Sequence, residues 1–404
     1  MKHIIILADG MADEPIAELG NETPLQAAET PNIDWLCRNG RCGTLATVPD
    51  GYEPGSEVAH LSLLGYDLPT VFEGRGSLEA ASMGVDIEPG EVAMRCNIIC
   101  IENGKIKNHS AGHISDEEAT ELIKYLNANL ADDRVRFFPG VSYRHLLKIG
   151  GGNKAVHFTP PHDVPGTPFA DVMPYAEIPE AEDTAKLIGN LILRSQELLA
   201  KHPINLKRIA EGKDPANSIW PWSAGYKPAM PTLNEKYGIG RGAVISAVDL
   251  ILGIGIYAGL KPVHVKGATG LANTNYSGKA EAAINALHSG NDFVFLHIEA
   301  PDEAGHEGNF LLKKRVIEDI DRLVCKPIIE AARDIEGGLA IALLPDHPTP
   351  CRLRTHTNHP VPFLIYRAGA TPDDVIRFDE DTAKNGVLGA LTDDSFINTF
   401  LKDL

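Results

Sequence analysis

Three runs of apolar residues, each leading to an aspartate, give the first prediction of the fold. The runs and their aspartates are residues 4–7 with Asp9, residues 293–298 with Asp302, and residues 339–345 with Asp346. A continuous apolar run is typical of a strand that is covered on both faces of a parallel sheet. Aspartates at the ends of such strands favour a doubly wound α/β sheet with its functional site at the carboxyl edge.

Helical patterns alternate with these strands, and this alternation predicts a mostly parallel sheet. A fourth apolar run, residues 361–366, follows a histidine-rich loop. The predicted helices are residues 243–258, 278–288, 311–332 and 393–401. Residues 242–260 resemble a membrane helix, but Asp249, several glycines and the helical spacing of the apolar residues favour a core helix instead.

The middle of the chain has a different pattern, which predicts an inserted α+β domain. Its predicted strands are residues 92–101, 135–138 and 143–149, and its predicted helices are residues 115–129 and 181–201. We therefore predict a sheet domain formed by residues 1–72 and 216–404, interrupted by a smaller domain formed by residues 73–215.

Composition and charge narrow the function. The 404 residues include 37 Lys+Arg and 55 Asp+Glu, so the net charge is 37 − 55 = −18 with neutral histidines. Affinity for a phosphate backbone needs clustered basic residues, and their absence argues against nucleic-acid binding. Six cysteines in a chain of this length do not predict a disulfide framework, and the apolar stretch near the N-terminus is too short for a signal peptide. We expect a cytoplasmic protein that does not bind membranes, and its oligomeric state stays open.

The segment from Asp302 to His306 carries the strongest chemical signal. Pro301 fits the first position of a helix, and the i, i+4 spacing then places Asp302 and His306 on one face, one turn apart. A carboxylate and an imidazole in this arrangement can bind the same divalent ion. The alternative is an aspartate favoured by the helix dipole, beside a histidine without a role.

Further candidate ligands follow the other predicted strands. Asp346 and His347 come directly after a buried strand, where adjacent side chains of an extended chain point to opposite sides. They could therefore face different positions, or different metal ions, at one sheet edge. A simple turn between two prolines is the alternative. Asp9 ends the first strand, and the loop of residues 354–360 adds His356 and His359, which are ordinarily solvated in a loop.

Ser56 begins another helical pattern, and its commonest role there is a helix N-cap. The alternative role is a nucleophile, because a helix N-terminus favours phosphate and a nearby metal lowers the pKa of a hydroxyl. Together with Ser56, the aspartates and histidines are sufficient for two metal ions. Carboxylate and imidazole without thiolate suit manganese or zinc. Such ions would make the local field positive, so the net charge of −18 does not exclude an anionic substrate.

These residues lie in motifs that resemble those of a known family. The motifs are LADGMAD, TPNIDWL, GSEVAHLSLLGY, EGRGSLEAASMG, LHIEAPDEAGHEG, LPDH and HTNHPVPF. With the stretch of residues 242–260, they look like the cofactor-independent phosphoglycerate mutases of the archaeal type, in the alkaline phosphatase superfamily. The resemblance covers essentially the whole chain.

The resemblance implies a two-metal enzyme that interconverts 3-phosphoglycerate and 2-phosphoglycerate through a phosphoserine. It also implies two divalent ions, Mn²⁺ or Zn²⁺ with Mg²⁺ or Co²⁺ as alternatives, and no requirement for 2,3-bisphosphoglycerate. One metal would be held by Asp302, His306 and His356, the other by Asp9, Asp346, His347 and Ser56. His356 is preferred to His359 because a His-Thr pair stands at the family's spacing before Pro-Val-Pro. Ser56 would be the nucleophile.

The inserted domain would then act as a cap that excludes water while glycerate reorients. Gripping a carboxylate and a phosphate requires cations. The candidate substrate-binding residues are Arg75, Arg95, His113, Arg144, His162, Asp163 and Lys266. For each of them a solvated surface position is the alternative.

Two other functions stay open from the sequence alone. The same site would also suit phosphate transfer to or from another small molecule, as in a homoserine kinase or a metal-dependent phosphatase, because the fold does not choose between acceptors. The remaining alternative is a catalytically silent metal-binding protein, against which the serine and the set of ligand types argue.

Overall fold

The computed structural model describes residues 1–402, along which strands and helices alternate. The strands are β1 (Lys2–Ala8), β2 (Gly40–Ala46), β3 (Glu91–Glu102), β4 (Lys105–Asn108), β5 (Val135–Phe138), β6 (Arg144–Gly150), β7 (Val156–His157), β8 (Tyr175–Ala176), β9 (Ser218–Gly225), β10 (Gly242–Ile245), β11 (Lys261–Pro262), β12 (Phe293–Ile298), β13 (Leu339–Leu344), β14 (Val361–Arg367) and β15 (Gly389–Thr392). The α-helices are α1 (Pro24–Ala27), α2 (Pro31–Arg38), α3 (Ser56–Leu63), α4 (Leu68–Val71), α5 (Arg75–Ser82), α6 (Asp116–Leu130), α7 (Glu182–Leu199), α8 (Pro203–Ala210), α9 (Leu233–Tyr237), α10 (Asp249–Tyr257), α11 (Tyr276–His288), α12 (Ala300–Glu307), α13 (Phe310–Ile320), α14 (Lys326–Ala331) and α15 (Ser395–Leu401). Short 3-10 helices lie at Ala17–Leu19, Phe169–Val172, Pro179–Ala181 and Thr382–Asn385, and a π-helix at Asp321–Cys325 joins α13 to α14.

The described chain divides into two compact units. Unit 1 comprises residues 1–72 and the chain from Ala229 onward, and unit 2 comprises Glu73–Pro228. The sequence placed the second boundary near residue 216, whereas the structure places it after Pro228. Strand β9 accounts for the difference, because it pairs with β3 and keeps the residues around it in unit 2.

Within residues 1–402, unit 1 holds an eight-stranded sheet with the strand order β11-β10-β12-β1-β13-β14-β2-β15. β1 lies between β12 and β13 and is parallel to both. The other neighbouring pairs are parallel too, apart from those of β14, which runs antiparallel to β13 and to β2. The prediction of a doubly wound, mostly parallel α/β sheet is confirmed, but the fourth apolar run enters the sheet in the opposite direction.

Helices cover both faces of this sheet. Ile4 of β1 belongs to a buried cluster that includes Leu287 of α11. Because side chains alternate along a strand, Ile5 points to the opposite face. Phe295, its partner on β12, lies in edge contact with the ring of His60 on α3. Burial on both faces explains why the central strands are apolar without interruption.

The predicted helix over residues 243–258 is wrong in its first part. The first of these residues lie in the buried strand β10, a turn follows, and α10 begins only at Asp249. A short apolar run fits a buried strand and a buried helix equally well, so spacing alone does not separate them. Gly255 allows α10 to lie close to β10, because a β-carbon there would stand 2.6 Å from a Val244 methyl carbon.

Unit 2 is an α+β unit built around the long strand β3. Within the described chain, β3 pairs with β4, β6 and β9, always antiparallel, and β5 pairs with β6. Leu122 of α6 and Ile188 of α7 pack in one buried cluster with Met94 and Ile98 of β3. The α+β character expected for the inserted segment is therefore present.

The helices of residues 1–402 bear on membrane crossing, and the cysteines bear on disulfide bonding. Among residues 1–402, no helix combines the length and the apolar character that crossing a membrane requires. The six cysteines in this part of the chain are free thiols, and all of them are buried. The sulfur atoms of Cys37 and Cys42 lie 3.4 Å apart.

Candidate metal centre and nucleophile

Candidate ligands gather where the central strands of unit 1 end. Asp9 follows β1, Asp302 lies in α12 just after β12, and Asp346 and His347 follow β13. Because β1, β12 and β13 are parallel neighbours, their carboxyl ends meet at one edge of the sheet. The sequence predicted this edge as the site, and the structure brings these side chains together there.

The direction of β14 explains how the histidine loop reaches the same edge. β14 is antiparallel to β13, with Leu343 opposite Leu364 and Ala340 opposite Arg367. The amino end of β14 therefore lies beside the carboxyl end of β13. His356, which precedes β14, is carried to the site by this reversal, and a parallel strand would have carried it to the opposite edge.

Asp9, Asp346 and His347 form what we call the buried ligand group. The Nε2 atom of His347 lies 3.2 Å from Asp346 Oδ2 and 3.7 Å from Asp9 Oδ1, and all three side chains are inaccessible to solvent. Asp346 Oδ1 accepts hydrogen bonds from the backbone N–H groups of Gly10 (3.1 Å) and His347 (2.9 Å). The chain bends after β13 instead of staying extended, so Asp346 and His347 share this group, and His347 also has a donor atom close to those of Asp302 and His356.

Asp302, His306 and His356 form the outer ligand group. His306 Nε2 lies 3.1 Å from Asp302 Oδ2, one helical turn away on α12, and 2.9 Å from His356 Nε2. His356 Nε2 lies 3.5 Å from Asp302 Oδ1. The His306 side chain is 37% exposed and that of His356 is 21% exposed. Helix α12 begins at Ala300, so Pro301 occupies its second position instead of the predicted first one.

The two ligand groups adjoin each other. The rings of His347 and His356 stack at a centroid distance of 3.9 Å. The Thr349 hydroxyl donates a hydrogen bond to Asp302 Oδ1, and it also lies 3.3 Å from His347 Nδ1. Donor atoms of Asp302, His347 and His356 all lie within 4.8 Å of one another, as do those of the buried ligand group. His347 therefore stands between the two groups.

Gly10 makes this close packing sterically feasible. Its backbone has φ = +61°, a conformation that favours glycine. A β-carbon at Gly10 would stand 2.6 Å from both Asp302 Oδ1 and the Thr349 hydroxyl oxygen. Glycine at position 10 therefore allows the side chains of Asp302 and Thr349 to lie close to the backbone.

Ser56 is the first residue of α3, and its hydroxyl faces the buried ligand group. Ser56 Oγ lies 3.3 Å from His347 Nε2. Gly55 is the N-cap of α3, so the N-cap role considered for Ser56 is not the one that the structure shows. The backbone carbonyl of Ser56 bonds His60 Nδ1 at 2.7 Å. A hydroxyl at the start of a helix, beside carboxylate and imidazole groups, is suitably placed for a nucleophile.

Hydrogen bonds determine the protonation of the outer ligand group. Burial alone would raise the pKa of Asp302, but hydrogen bonds with His306 and His356 hold that pKa well below its usual range. The hydrogen bond to Asp302 raises the pKa of His306 to about 9. Burial opposes protonation of His356, yet its bond to Asp302 leaves its pKa raised. In the absence of a cation, the histidine pair therefore carries an extra proton at neutral pH.

In the buried ligand group, burial favours the neutral forms of Asp9 and His347. Burial, followed by repulsion from Asp346, raises the pKa of Asp9 well above its ordinary value. Burial likewise lowers the pKa of His347. Burial would raise the pKa of Asp346, but interactions with the rings of His347 and His60 lower that pKa below its ordinary value. The two carboxylates repel each other with little compensating positive charge.

The residues present fit divalent cations. Asp9 Oδ1 and Asp346 Oδ2 are buried and have no hydrogen-bond partner among residues 1–402. Buried polar atoms are almost always paired, so such orphaned oxygens indicate a missing partner. A cation between carboxylate oxygens and imidazole nitrogens would satisfy these atoms and remove the repulsion.

Sequence reasoning missed several residues that support this site. His297 Nε2 lies 2.8 Å from Asp9 Oδ2, and Glu299 Oε2 lies 3.4 Å from the same nitrogen. The buried Lys313 ammonium donates to Asp13 Oδ2 and to the carbonyl of Thr349, at 2.8 and 2.9 Å. A histidine inside an otherwise apolar strand was the available signal for His297. Lys313 gives no comparable signal, because it lies in a charged helical pattern.

In unit 2, the candidate arginines gather around Arg95. Arg95 is buried, with its Nη1 atom 3.2 Å from Glu79 Oε1 and its Cζ atom 4.6 Å from the centre of the Trp222 ring. Arg75 Nε donates to the same Glu79 oxygen at 3.0 Å. Burial, together with the charges of Arg75 and Arg144, lowers the pKa of Arg95 to about 10.

The other candidates divide between the two units. His162 lies edge-on to the same tryptophan at 5.3 Å, with its Nε2 atom 3.6 Å from Asp163 Oδ1. The ring of His113 lies 6.3 Å from that of Tyr143. Lys266, by contrast, belongs to unit 1, where it is exposed after β11.

Comparison with known proteins adds independent information. Residues 37–205 match the family model described as 2,3-bisphosphoglycerate-independent phosphoglycerate mutase. The chain is 50% identical to the protein of that name from Methanosarcina acetivorans, over 100% of both chains. Its structure is similar to that of the PH0037 protein from Pyrococcus horikoshii (TM-score 0.83, 31% identity, covering 99% of this chain and 96% of the other). It is also similar to the cofactor-independent phosphoglycerate mutase from Thermoplasma acidophilum (TM-score 0.69, 30% identity, 99% of both chains).

Proposed function

Because the chain belongs to the family of 2,3-bisphosphoglycerate-independent phosphoglycerate mutases, we propose that the site at its sheet edge transfers the phosphoryl group through Ser56. The reaction of the family is the interconversion of 3-phosphoglycerate and 2-phosphoglycerate. The observation that carries the proposal is the hydroxyl of Ser56 at the start of α3, 3.3 Å from His347 Nε2 in the buried ligand group. The relatives support a mutase and give no support to phosphate transfer to another small molecule.

We further propose that the site holds two divalent cations. The buried ligand group and Ser56 would hold one, and the outer ligand group would hold the other. When bound, such ions lower the pKa of a hydroxyl nucleophile and neutralise charge on the transferring phosphoryl group. The carboxylate and imidazole donors suit Mn²⁺ or Zn²⁺.

The chain's own residues then carry out two transfers. The Ser56 hydroxyl loses its proton as its oxygen bonds to phosphorus, the bond from phosphorus to the 3-oxygen of glycerate breaks, and the 3-oxygen takes up a proton. The 2-hydroxyl of glycerate next loses its proton and attacks phosphoserine, the bond from phosphorus to the Ser56 oxygen breaks, and the Ser56 oxygen takes up a proton. The atoms and charges of the two transfers balance, and no external phosphate donor is consumed.

We propose that Arg75 and Arg95 of unit 2 bind the carboxylate and phosphate groups of the substrate. Arg75 and Arg95 both contact the carboxylate of Glu79, which places the two guanidinium groups close together. Arginine forks match carboxylate and phosphate oxygens. We expect His113, Arg144, His162 and Asp163 of unit 2, and Lys266 of unit 1, to contribute to the same task.

An enolase-coupled assay tests the proposal. Purified protein with Mn²⁺ and 3-phosphoglycerate should form 2-phosphoglycerate, and chelation should abolish the reaction. Ser56→Ala should remove activity by on the order of 10³-fold or more, as expected for a lost nucleophile. Ser277→Ala, on the exposed surface of α11, is the matched control. Full activity of Ser56→Ala would exclude the phosphoserine step, and activity that survives chelation would exclude the metals.

A further inference from the structure

The two carboxylate oxygens of Asp9 lie in different environments. Asp9 Oδ2 is 2.8 Å from His297 Nε2. Asp9 Oδ1 has no hydrogen-bond partner among residues 1–402 and lies 3.7 Å from His347 Nε2. One oxygen is therefore committed to a protein partner, and the other faces the candidate ligands.

The imidazole of His297 is held in turn by Ser246. His297 lies inside the buried strand β12, and its Nδ1 atom is 2.9 Å from Ser246 Oγ. Ser246 follows β10, the neighbour of β12, and its hydroxyl oxygen accepts the backbone N–H of Val248 at 3.0 Å. The Ser246 hydroxyl proton is then available for donation to Nδ1.

This chain of contacts defines a direction for the hydrogen bonds. A carboxylate that binds a cation is ionised and only accepts hydrogen bonds, so in the metal-bound site the nitrogen facing Asp9 must carry the proton. In a neutral imidazole the other nitrogen, Nδ1, is then an acceptor, which suits the hydroxyl of Ser246. The Ser246, His297 and Asp9 contacts are mutually consistent in this arrangement, and all three side chains are buried.

We propose that His297 is a positioning residue that occupies Asp9 Oδ2 and so leaves Oδ1 to the cation of the buried ligand group. The proposal rests on the proposed metal site but not on the mutase reaction. Partners of metal-binding carboxylates and imidazoles commonly fix the orientation of the ligand and strengthen metal binding.

A third cation site at Asp9, His297 and Glu299 is the competing interpretation, since their donor atoms also lie within 4.8 Å of one another. The structure argues against it. The buried Lys279 ammonium donates to the His297 carbonyl at 3.1 Å and interacts electrostatically with Glu299. The chain thus supplies its own positive charge there, and the His297 nitrogen already faces Asp9 at hydrogen-bond distance.

Manganese binding to the full-length protein, measured by calorimetry without substrate, separates the two interpretations. His297→Leu removes the donor to Asp9 and should weaken Mn²⁺ binding about 10- to 100-fold. His297→Gln keeps an N–H near the Nε2 position and should bind Mn²⁺ within about threefold of wild type. Both variants should still bind two ions. His288→Gln, on the exposed surface of α11, is the control.

Three results would overturn the proposal. The first is a His297→Leu variant that binds Mn²⁺ with wild-type affinity. The second is an equal weakening of Mn²⁺ binding in His297→Gln and His297→Leu. The third is the loss of one of the two bound ions in both of these variants. If His297→Leu does not fold, Ser246→Ala provides the test. It should weaken Mn²⁺ binding several-fold with two ions retained, and unchanged affinity would contradict the account. A protein that binds two ions but lacks mutase activity would refute the proposed reaction and leave this inference standing.

Discussion

The buried and outer ligand groups lie at the same sheet edge but differ in how they are held. The buried group has fully enclosed side chains, and Asp346 is fixed by two backbone N–H groups. The outer group joins one turn of α12 to a loop residue and is partly exposed. Without a cation, the buried group contains two carboxylate oxygens that lack a hydrogen-bond partner among residues 1–402. In the outer group, protonated His306 pairs with the carboxylate of Asp302. Under the proposed assignment, a cation would pair the orphaned oxygens of the buried group and would displace a proton from the outer group.

The largest effect is expected in the buried ligand group. Asp346→Asn removes a charge that no other described residue replaces, and it should lower kcat by on the order of 10³-fold or more. Raising the Mn²⁺ concentration should not restore activity, because solvent cannot supply the missing negative oxygen in a fully enclosed group. Asp334→Asn, at an exposed position, should behave as wild type. If high Mn²⁺ concentration restores the kcat of Asp346→Asn, the proposed difference between the buried and outer ligand groups is wrong.

The next effect concerns Lys313, which supports the loops of both groups. Its ammonium is buried and bonds Asp13 and the carbonyls of Ala12 and Thr349. Lys313→Met leaves the Asp13 carboxylate without its partner and should lower the free energy of unfolding by about 3–5 kcal/mol. Urea unfolding of the metal-free protein measures this.

Lys314→Met is the matched control, since Lys314 pairs with Glu318 along the partly exposed face of α13. It should cost less than about 1 kcal/mol. Equal losses for the two variants would show that the Lys313 network has no special importance.

A smaller effect is expected in the outer ligand group. His306→Ala removes a ligand itself, so it should weaken the binding of one of two Mn²⁺ ions. The loss should exceed the roughly 10- to 100-fold that removing a ligand's supporting partner costs. Much of kcat should return at saturating metal, because Asp302 and His356 remain. His359→Ala is the control, since the His359 ring is exposed and bonds Thr357. An irreversible loss of kcat in His306→Ala would mean that the outer group is as indispensable as the buried one.

The smallest effect is a pH dependence of metal binding. The pKa of His306 is raised to about 9 by its bond to Asp302, so this histidine holds a proton at pH 7. Mn²⁺ must displace that proton, and wild type should release about one proton more than His306→Gln at pH 7. The difference should vanish as pH rises through about 9. Calorimetry in buffers of different ionisation enthalpy measures it, and a pH-independent difference would contradict the assignment.

The same shift has a consequence for the metal-free protein. Because the folded pKa of His306 lies above the ordinary value of 6.5, its pairing with Asp302 stabilises the fold fully below about pH 6.5. The stabilisation is lost as pH rises through about 9. Thermal unfolding of His306→Gln should therefore approach that of wild type at high pH.

The sequence predicted the parts of the site that depend on strand ends. Asp9, Asp302 and Asp346 follow apolar strands, and parallel neighbours bring such ends together. The choice of His356 came from the resemblance to the mutase family, but the antiparallel direction of β14, which carries this loop to the site, has no local signature. Strand direction is decided by pairing within the sheet, and an apolar run reads the same in both directions.

The contacts that support the ligands could not be predicted from the sequence, because they too depend on how distant elements pack. The partners of Asp9 and of Thr349 are distant in the sequence, as His297 and Lys313 show. A buried polar side chain is chosen by the neighbours it satisfies, and these neighbours are known only once the elements pack. The same holds for Arg75 and Arg95, whose shared carboxylate is Glu79.

Anomalous diffraction from crystals grown with Mn²⁺ tests the central claim most directly. Two peaks are expected. One should lie within coordination distance of the Asp9, Asp346 and His347 side chains and of Ser56 Oγ, and the other should lie among Asp302, His306 and His356. A single peak, or a peak between Asp9, His297 and Glu299, would contradict it.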